Sequence, residues 1–322
     1  MSSPADFAFI VGAPRCGTTS LARYLETHPA ICFSCVKEPH YFAQYDLRDL
    51  ATGDLRRRIE DDYLRRYFGR RQNDRRLLAE GSVSYLYAAA QMEPILPLWP
   101  DARFVICLRD PCEMLPSLHQ RLVFNGDETV TDFAQAWSLM AERANGRQIP
   151  RTCFDARSLQ YAELARLGSH VERFLGAVGR ERCRIVLFED FVADPGATYH
   201  GLLDFLGLHE RGRPDFPIHR GRQGYKHGWL QRLLKRPPVA VRSVLGGEKL
   251  RQRIKPVGAD GETSLLTRAI FAARARLLEW NEAPAPAIPL SGELRLAIAE
   301  TLAPEIERLS RIVGRDLGHW LE

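Results

Sequence analysis

The chain has 322 residues, 45% of them apolar and 26% charged, the balance of an ordinary globular protein with length for one large core or two modest ones. No apolar run approaches the roughly 18 residues of a membrane span, and the opening MSSPADF lacks the basic segment and apolar core of a secretory leader, so a cytoplasmic address without an anchor is expected. Net charge is +5, yet thirteen Lys and Arg against two acids fall between Arg211 and Lys255, which marks that segment as a place for nucleic acid, membrane phosphates or a small anion.

Phe7 to Leu25, FAFIVGAPRCGTTSLARYL, reads as a buried strand over Phe7 to Val11, a loop with glycines at Gly12 and Gly17, and a helix opening near Thr18. Such a loop is a phosphate cradle. The first N–H groups of a helix lack intrahelical partners, and the helix dipole favours negative charge there. The spacing from Gly12 to Gly17 matches the triphosphatase loop G-x-x-x-x-G-K-[ST], but Thr18 stands in the lysine position and the nearby cation is Arg15. Losing the lysine that reaches the β- and γ-phosphates argues against a triphosphate, whereas Arg15 can neutralise a single 5′-phosphate without a metal at Thr19.

The first helix ends near His28-Pro29, and a weakly alternating run from Ala30 to Val36 leads into Lys37-Glu38-Pro39-His40-Tyr41-Phe42. Cys32 and Cys35 have the C-x-x-C form of a redox or half-metal site. No second pair at zinc spacing accompanies them, and seven cysteines, an odd number, read as free thiols in a reducing compartment. Leu55, Ile59, Tyr63 and Tyr67 predict a helix over 55–68, Leu77 to Glu80 a short strand, and Arg103 to Leu108 a second strand buried on both faces. Asp110 can cap the next helix with Pro111 in its first position. Helical patterns follow at about 112–124, 131–144 and 158–178, then a third strand from Cys183 to Phe188 and a helix from Pro195 to Leu206. Residues 209–260 predict a basic, irregular excursion over the ligand, and helices near 263–280 and 291–313 are separated by a proline-rich spacer, Glu282 to Pro289. Strands alternating with helices predict a parallel sheet whose ligands gather at the strands' carboxyl ends, where Gly12 to Thr19, Arg109 and Glu189 all fall.

On Gly12-Ala13-Pro14-Arg15-Cys16-Gly17-Thr18-Thr19 the chain resembles the PAPS-dependent sulfotransferases, whose 5′-phosphosulfate loop reads G-x-P-[KR]-x-G-T-[TS]. The resemblance implies a P-loop-like α/β fold, a central parallel sheet flanked by helices, in one domain over residues 1–322. It implies that Pro14, Arg15, Cys16, Gly17, Thr18, Thr19 and Ser20 bind the 5′ end of 3′-phosphoadenosine 5′-phosphosulfate (PAPS), with Arg15 also stabilising the leaving phosphate. Arg109-Asp110-Pro111 followed by Ser117 is similar to the family's 3′-phosphate site, a task that suits the planar fork of arginine. Lys37 to Phe42 is similar to the E-x-[HQ]-F-F of the glycan-modifying branch. That makes Glu38 the first candidate for the base that takes the acceptor's proton and His40 the second, with Lys37 holding the phosphosulfate or tuning the base. Arg220, Gly221 and Arg222 loosely match a late segment that closes over the 3′-phosphate. Where the glycan branch has E-K-[TS]-P-x-Y, this chain has Glu80-Gly81-Ser82-Val83-Ser84-Tyr85, and the absent lysine at Gly81 weighs against a heparan-like acceptor.

The expected reaction moves the sulfuryl group of PAPS to a hydroxyl, in preference to an amine, of a small molecule, glycan or lipid, and releases adenosine 3′,5′-bisphosphate (PAP). Neither a metal nor a nucleic-acid partner is expected. Protein tyrosine also stays open as an acceptor, and oligomeric state is unread. Two other classes compete: a P-loop kinase or NTPase, disfavoured by Thr18, and a non-catalytic nucleotide or polyanion binder that would use the basic segment alone.

Overall fold

Phe7, Ala8, Phe9, Ile10 and Val11 are all buried, so this strand has to lie inside a sheet covered on both faces. The computed structural model describes residues 6–69, 77–208, 216, 223–235, 265–285 and 288–322. Five strands, β1 (Asp6–Gly12), β2 (Ile31–Phe33), β3 (Leu77–Glu80), β4 (Arg103–Leu108) and β5 (Cys183–Leu187), form one sheet in the order β2-β3-β1-β4-β5. Every pairing is parallel, with Phe9 opposite both Glu80 of β3 and Phe104 of β4. From β1 the chain goes to the edge strand β2, returns to β3 between them, and then crosses to β4 on the other side of β1. The crevice where strand order reverses therefore opens beside the carboxyl end of β1.

One face of β1 is filled by aromatic rings: Phe7 stacks on Phe9 at 4.3 Å between centroids, meets Trp99 at 4.5 Å and takes the edge of Phe68 at 5.4 Å. Burying each such ring contributes on the order of 2–3 kcal/mol, which anchors the strand that presents the cradle.

Two compact units are present. The first gathers residues up to Met114 with Ala165–Arg220 and Arg295–Glu322, and holds the whole five-stranded sheet. Its last turn, Gly318–Leu321, is tied to the segment after β5: Trp320 Nε1 donates to Glu189 Oε2 at 3.0 Å, and Arg315 pairs with Glu189 and Asp190. The second unit comprises Leu115–Leu164 and Gly221–Leu294. Its centre is a buried ion pair in which Arg143 Nη1 and Nη2 reach Glu128 at 2.7 and 3.0 Å while Tyr161 donates to the same carboxylate at 3.0 Å.

Several elements differ from their sequence expectation. The helix over 55–68 is a helix at Thr52–Arg58, a π-helical stretch at Ile59–Leu64 and a last turn at Arg65–Tyr67. The pattern at 131–144 divides into Phe133–Ser138 and Met140–Ala144, where the Ser138 hydroxyl donates to the Gln135 carbonyl and offers the backbone an alternative to the helix. Only Leu167–Val178 of the pattern at 158–178 is one continuous helix. Phe188 opens the helix Phe188–Ala193 rather than closing β5. The spacer contains a strand: β7 (Glu282–Pro284) pairs antiparallel with β6 (Gln223–Tyr225), a two-stranded ribbon whose edges tolerate proline. Arg220, Gly221 and Arg222 lie outside the described residues. Among the described residues, no helix is long and apolar enough to cross a membrane.

Candidate active site

β1 ends at Gly12, and the loop that follows delivers the chain to a helix at Thr18–Glu26. Leu21, Ala22, Tyr24 and Leu25 on that helix are buried, which fixes its axis against the core and aims its N-terminus at the crevice. Its first turn, Thr18-Thr19-Ser20, is uncharged, so no carboxylate of its own neutralises the dipole. Gly17 caps it at φ 78°, ψ 0°, and a Cβ there would stand 3.0 Å from the rings of Phe188 and Phe191. Glycine is required twice over, by the left-handed backbone and by the space. Gly17→Val is expected to destabilise the protein by about 2 kcal/mol or more, read as a lowered urea midpoint.

Arg15 also has a left-handed backbone, at φ 66°, an uncommon choice for a side chain of this size. Its carbonyl accepts from Arg109 Nη1 at 3.2 Å, so two of the residues predicted from the sequence meet at neighbouring strand ends. Arg109 is further fixed by Glu113, which accepts from Nη2 at 2.6 Å and Nε at 3.1 Å, and by the Phe188 ring 4.4 Å beneath its guanidinium. Asp110 accepts from the Cys112 N–H at 2.7 Å and opens the helix Pro111–Asn125 as its sequence suggested.

The remaining cradle residues divide by direction. Cys16 is buried, donates to the Pro14 carbonyl and has its thiol pushed well up by burial, so position 16 offers the crevice its backbone and not a thiolate. Thr18 is buried, with Oγ1 3.3 Å from Lys37 Nζ. Thr19 is partly exposed, while Ser20, one position on, hydrogen-bonds the Tyr24 phenol. Ser117 is buried on the helix Pro111–Asn125 and belongs to the second unit.

Across from the cradle, the segment after β2 carries Lys37, Glu38 and His40. Lys37 Nζ lies 2.8 Å from Glu38 Oε1, and His40 Nε2 lies 3.8 Å from Glu38 Oε2. His40 is held in a left-handed turn, φ 54°, by its N–H donating to Ser82 Oγ at 2.8 Å and by its Nδ1 against Ser84 Oγ at the same distance. Ser82 in turn donates to Glu80 at 2.6 Å, and Glu80 also accepts from Tyr63 at 3.0 Å and Tyr85 at 2.7 Å. Burial pushes the Glu80 carboxyl up to about 7 against the pull of those three donors.

Glu80, Ser82 and Ser84 stood in the sequence only as the counterpart of E-K-[TS]-P-x-Y and Phe188 only as a strand end, none with a role in the site. An acid closing the fully buried strand LLAE, at the end where ligands gather, was the available signal for Glu80.

A glycine cradle at the carboxyl end of the central parallel strand, with arginines in the loop and at the next strand end, defines a P-loop-like α/β protein. The chain belongs to the sulfotransferase family, whose model matches residues 8–211. It is similar to carbohydrate sulfotransferase 15 of Homo sapiens, 22% identical over 62% of this chain and 43% of that protein, and of Rattus norvegicus, 23% identical with the same coverage. The chain thus spans less than half the length of these relatives. The fold is shared with a sulfotransferase of Alicyclobacillus acidocaldarius, at a TM-score of 0.65 and 23% identity with both chains fully covered.

Proposed function

We propose that this chain transfers the sulfuryl group of PAPS to a hydroxyl, with a carbohydrate as the favoured acceptor. The observation that carries the reading is the pairing of an anion cradle at Gly12–Thr19 with a carboxylate and an imidazole, Glu38 and His40, bridged to it through Lys37 and Thr18. The residues present fit such a donor: Gly17 gives the loop its left-handed turn into the helix, that helix opens without an acid, and Arg109 stands at the adjoining strand end with its fork shared by Glu113. When bound, PAPS would supply the sulfuryl group and a 5′-phosphate able to leave.

Arg15 and the N–H groups of Gly17 to Thr19 would hold the 5′-phosphate and take up charge as it leaves, a preorganised contribution of about 3 kcal/mol per donor. Glu38 would accept the acceptor's proton, with His40 oriented beside it. Arg109 would bind the 3′-phosphate. The carbohydrate acceptor rests on the names of the curated relatives, and Gly81 in place of a lysine favours one less anionic than heparan.

Calorimetry tests the nucleotide first: PAP is expected to bind and ATP with Mg²⁺ to bind far more weakly, and the reverse order would replace this reading with a kinase or NTPase. Incubation with labelled PAPS and a panel of glycans, lipids and phenols then identifies the acceptor. Glu113 already occupies the fork that a 3′-phosphate would need. Glu113→Gln is expected to tighten PAP severalfold, since an exposed i,i+4 pair offsets roughly 0.5 kcal/mol and its like charge is also removed; unchanged or weaker binding places the phosphate elsewhere.

A further inference from the structure

Lys37 touches both halves of this site. Its Nζ is 3.3 Å from Thr18 Oγ1 at the mouth of the cradle and 2.8 Å from Glu38 Oε1. Its stem runs over Gly81: a Cβ at position 81 would sit 3.6 Å from Lys37 Cε, and the Gly81 N–H donates to the Lys37 carbonyl at 2.9 Å. The side chain is mostly buried, at 17% exposure, so its ammonium is poorly placed to exchange either partner for water. An in-line displacement needs the leaving phosphate, the sulfur, the acceptor oxygen and the base in sequence. Nζ stands between Thr18 of the cradle and Glu38.

We infer, resting on the reading above, that Lys37 changes partners when the donor binds. In the free protein it holds the Glu38 carboxylate; with PAPS in the cradle its ammonium moves to the sulfuryl oxygens and no longer holds that carboxylate. A carboxylate holding an ammonium is a weaker proton acceptor than a bare one, so the base is released only when there is a group to transfer. The transfer then balances: the acceptor oxygen bonds to sulfur, the bond from sulfur to the phosphate oxygen breaks with its electron pair on the phosphate, and the acceptor's proton passes to Glu38. Lys37 is a positioning residue toward Glu38 and a charge contact toward the donor. Its small neighbour at 81 leaves the stem room to move.

Exchange predicts effects of opposite sign on binding, in the absence of any acceptor. Calorimetry with PAP and with PAPS is run on the wild type, Lys37→Met, Lys37→Arg and Glu38→Gln. PAP lacks the sulfuryl group, so all four proteins are expected to bind it within about twofold, which also reports that each is folded. For PAPS, Lys37→Met is expected to lose about tenfold, Lys37→Arg to stay near the wild type, and Glu38→Gln to gain roughly threefold, because the ammonium no longer has to leave a carboxylate. Should Lys37→Met not fold, the gain in Glu38→Gln carries the test. PAPS affinities that move together in Lys37→Met and Glu38→Gln, or that move no more than those for PAP, overturn the exchange while leaving the nucleotide reading intact. A wild type that binds neither nucleotide removes both.

Discussion

Glu38→Gln is expected to lower the rate of sulfuryl transfer by about a thousandfold while PAP binds as before, the middle of the range over which a general base typically contributes. The amide keeps the shape of the carboxylate and can still accept from Lys37, so packing around the site is little changed, and it cannot take a proton. His40→Asn is the necessary comparison. The imidazole is positioned by Ser84 at Nδ1 and stands 3.8 Å from Glu38 through Nε2, which suits it to orient the carboxylate more than to replace it. A loss of about tenfold to a hundredfold is therefore expected for His40→Asn, measured as turnover at saturating PAPS. If the two losses are reversed, the imidazole is the base and the carboxylate its partner. A Glu38→Gln enzyme with full turnover would remove both the assignment and the gating that depends on it.

The parts of this site that could be read from the sequence are those set by a single short segment. Gly12, Gly17 and the two hydroxyl residues after them announce a strand, a left-handed turn and an uncharged helix start because each requirement falls on one residue in eight consecutive positions. Arg109 was legible for the same reason, as the residue that follows a buried strand and precedes Asp110 and Pro111. Its partner Glu113, one helical turn on, was equally local and was passed over. What surrounds Glu38 was not legible, because Ser82 and Ser84 reach His40 only after β3 has been laid beside β1. Lys37 illustrates the limit well: its position next to Glu38 in sequence shows that it can meet the carboxylate, and only the fold shows that it also meets Thr18. The ribbon of β6 and β7 failed for another reason, since a strand of Glu-Ala-Pro has no alternation to detect and exists through its partner alone.

Glu80 is expected to cost the protein stability as pH rises from about 4.5 to about 7, and Glu80→Gln is expected to remove that contribution. Glu80 is fully buried, and its carboxyl is pushed from 4.5 up to about 7 by loss of hydration, which outweighs Ser82, Tyr85, Tyr63 and the nearby Lys37 charge. A group whose folded value lies above its unfolded one binds more protons when folded. Its contribution is complete below the unfolded value and is lost as pH climbs through the folded one, here across a window of about 4.5 to 7. A displacement of that size corresponds to roughly 3 kcal/mol, undiminished by solvent because no part of the side chain is exposed. Asp110, raised to about 6 by burial, adds a slope of the same sign and His119, lowered by burial, one of the opposite sign, so the informative quantity is the difference between the wild type and the variant rather than either curve. Urea melts at pH 4.5, 6 and 8 should show Glu80→Gln gaining on the wild type by roughly 3 kcal/mol across the range, with parallel curves as the contrary result. The same titration reaches the site. Ser82 donates to Glu80 and accepts from the His40 N–H, so a charged Glu80 fixes the Ser82 hydroxyl with its lone pairs toward His40. Protonation weakens that orientation and loosens the turn that holds His40 beside Glu38. Turnover should therefore rise through the window in which stability falls, and a Glu80→Gln enzyme should lose that rise while keeping its affinity for PAP.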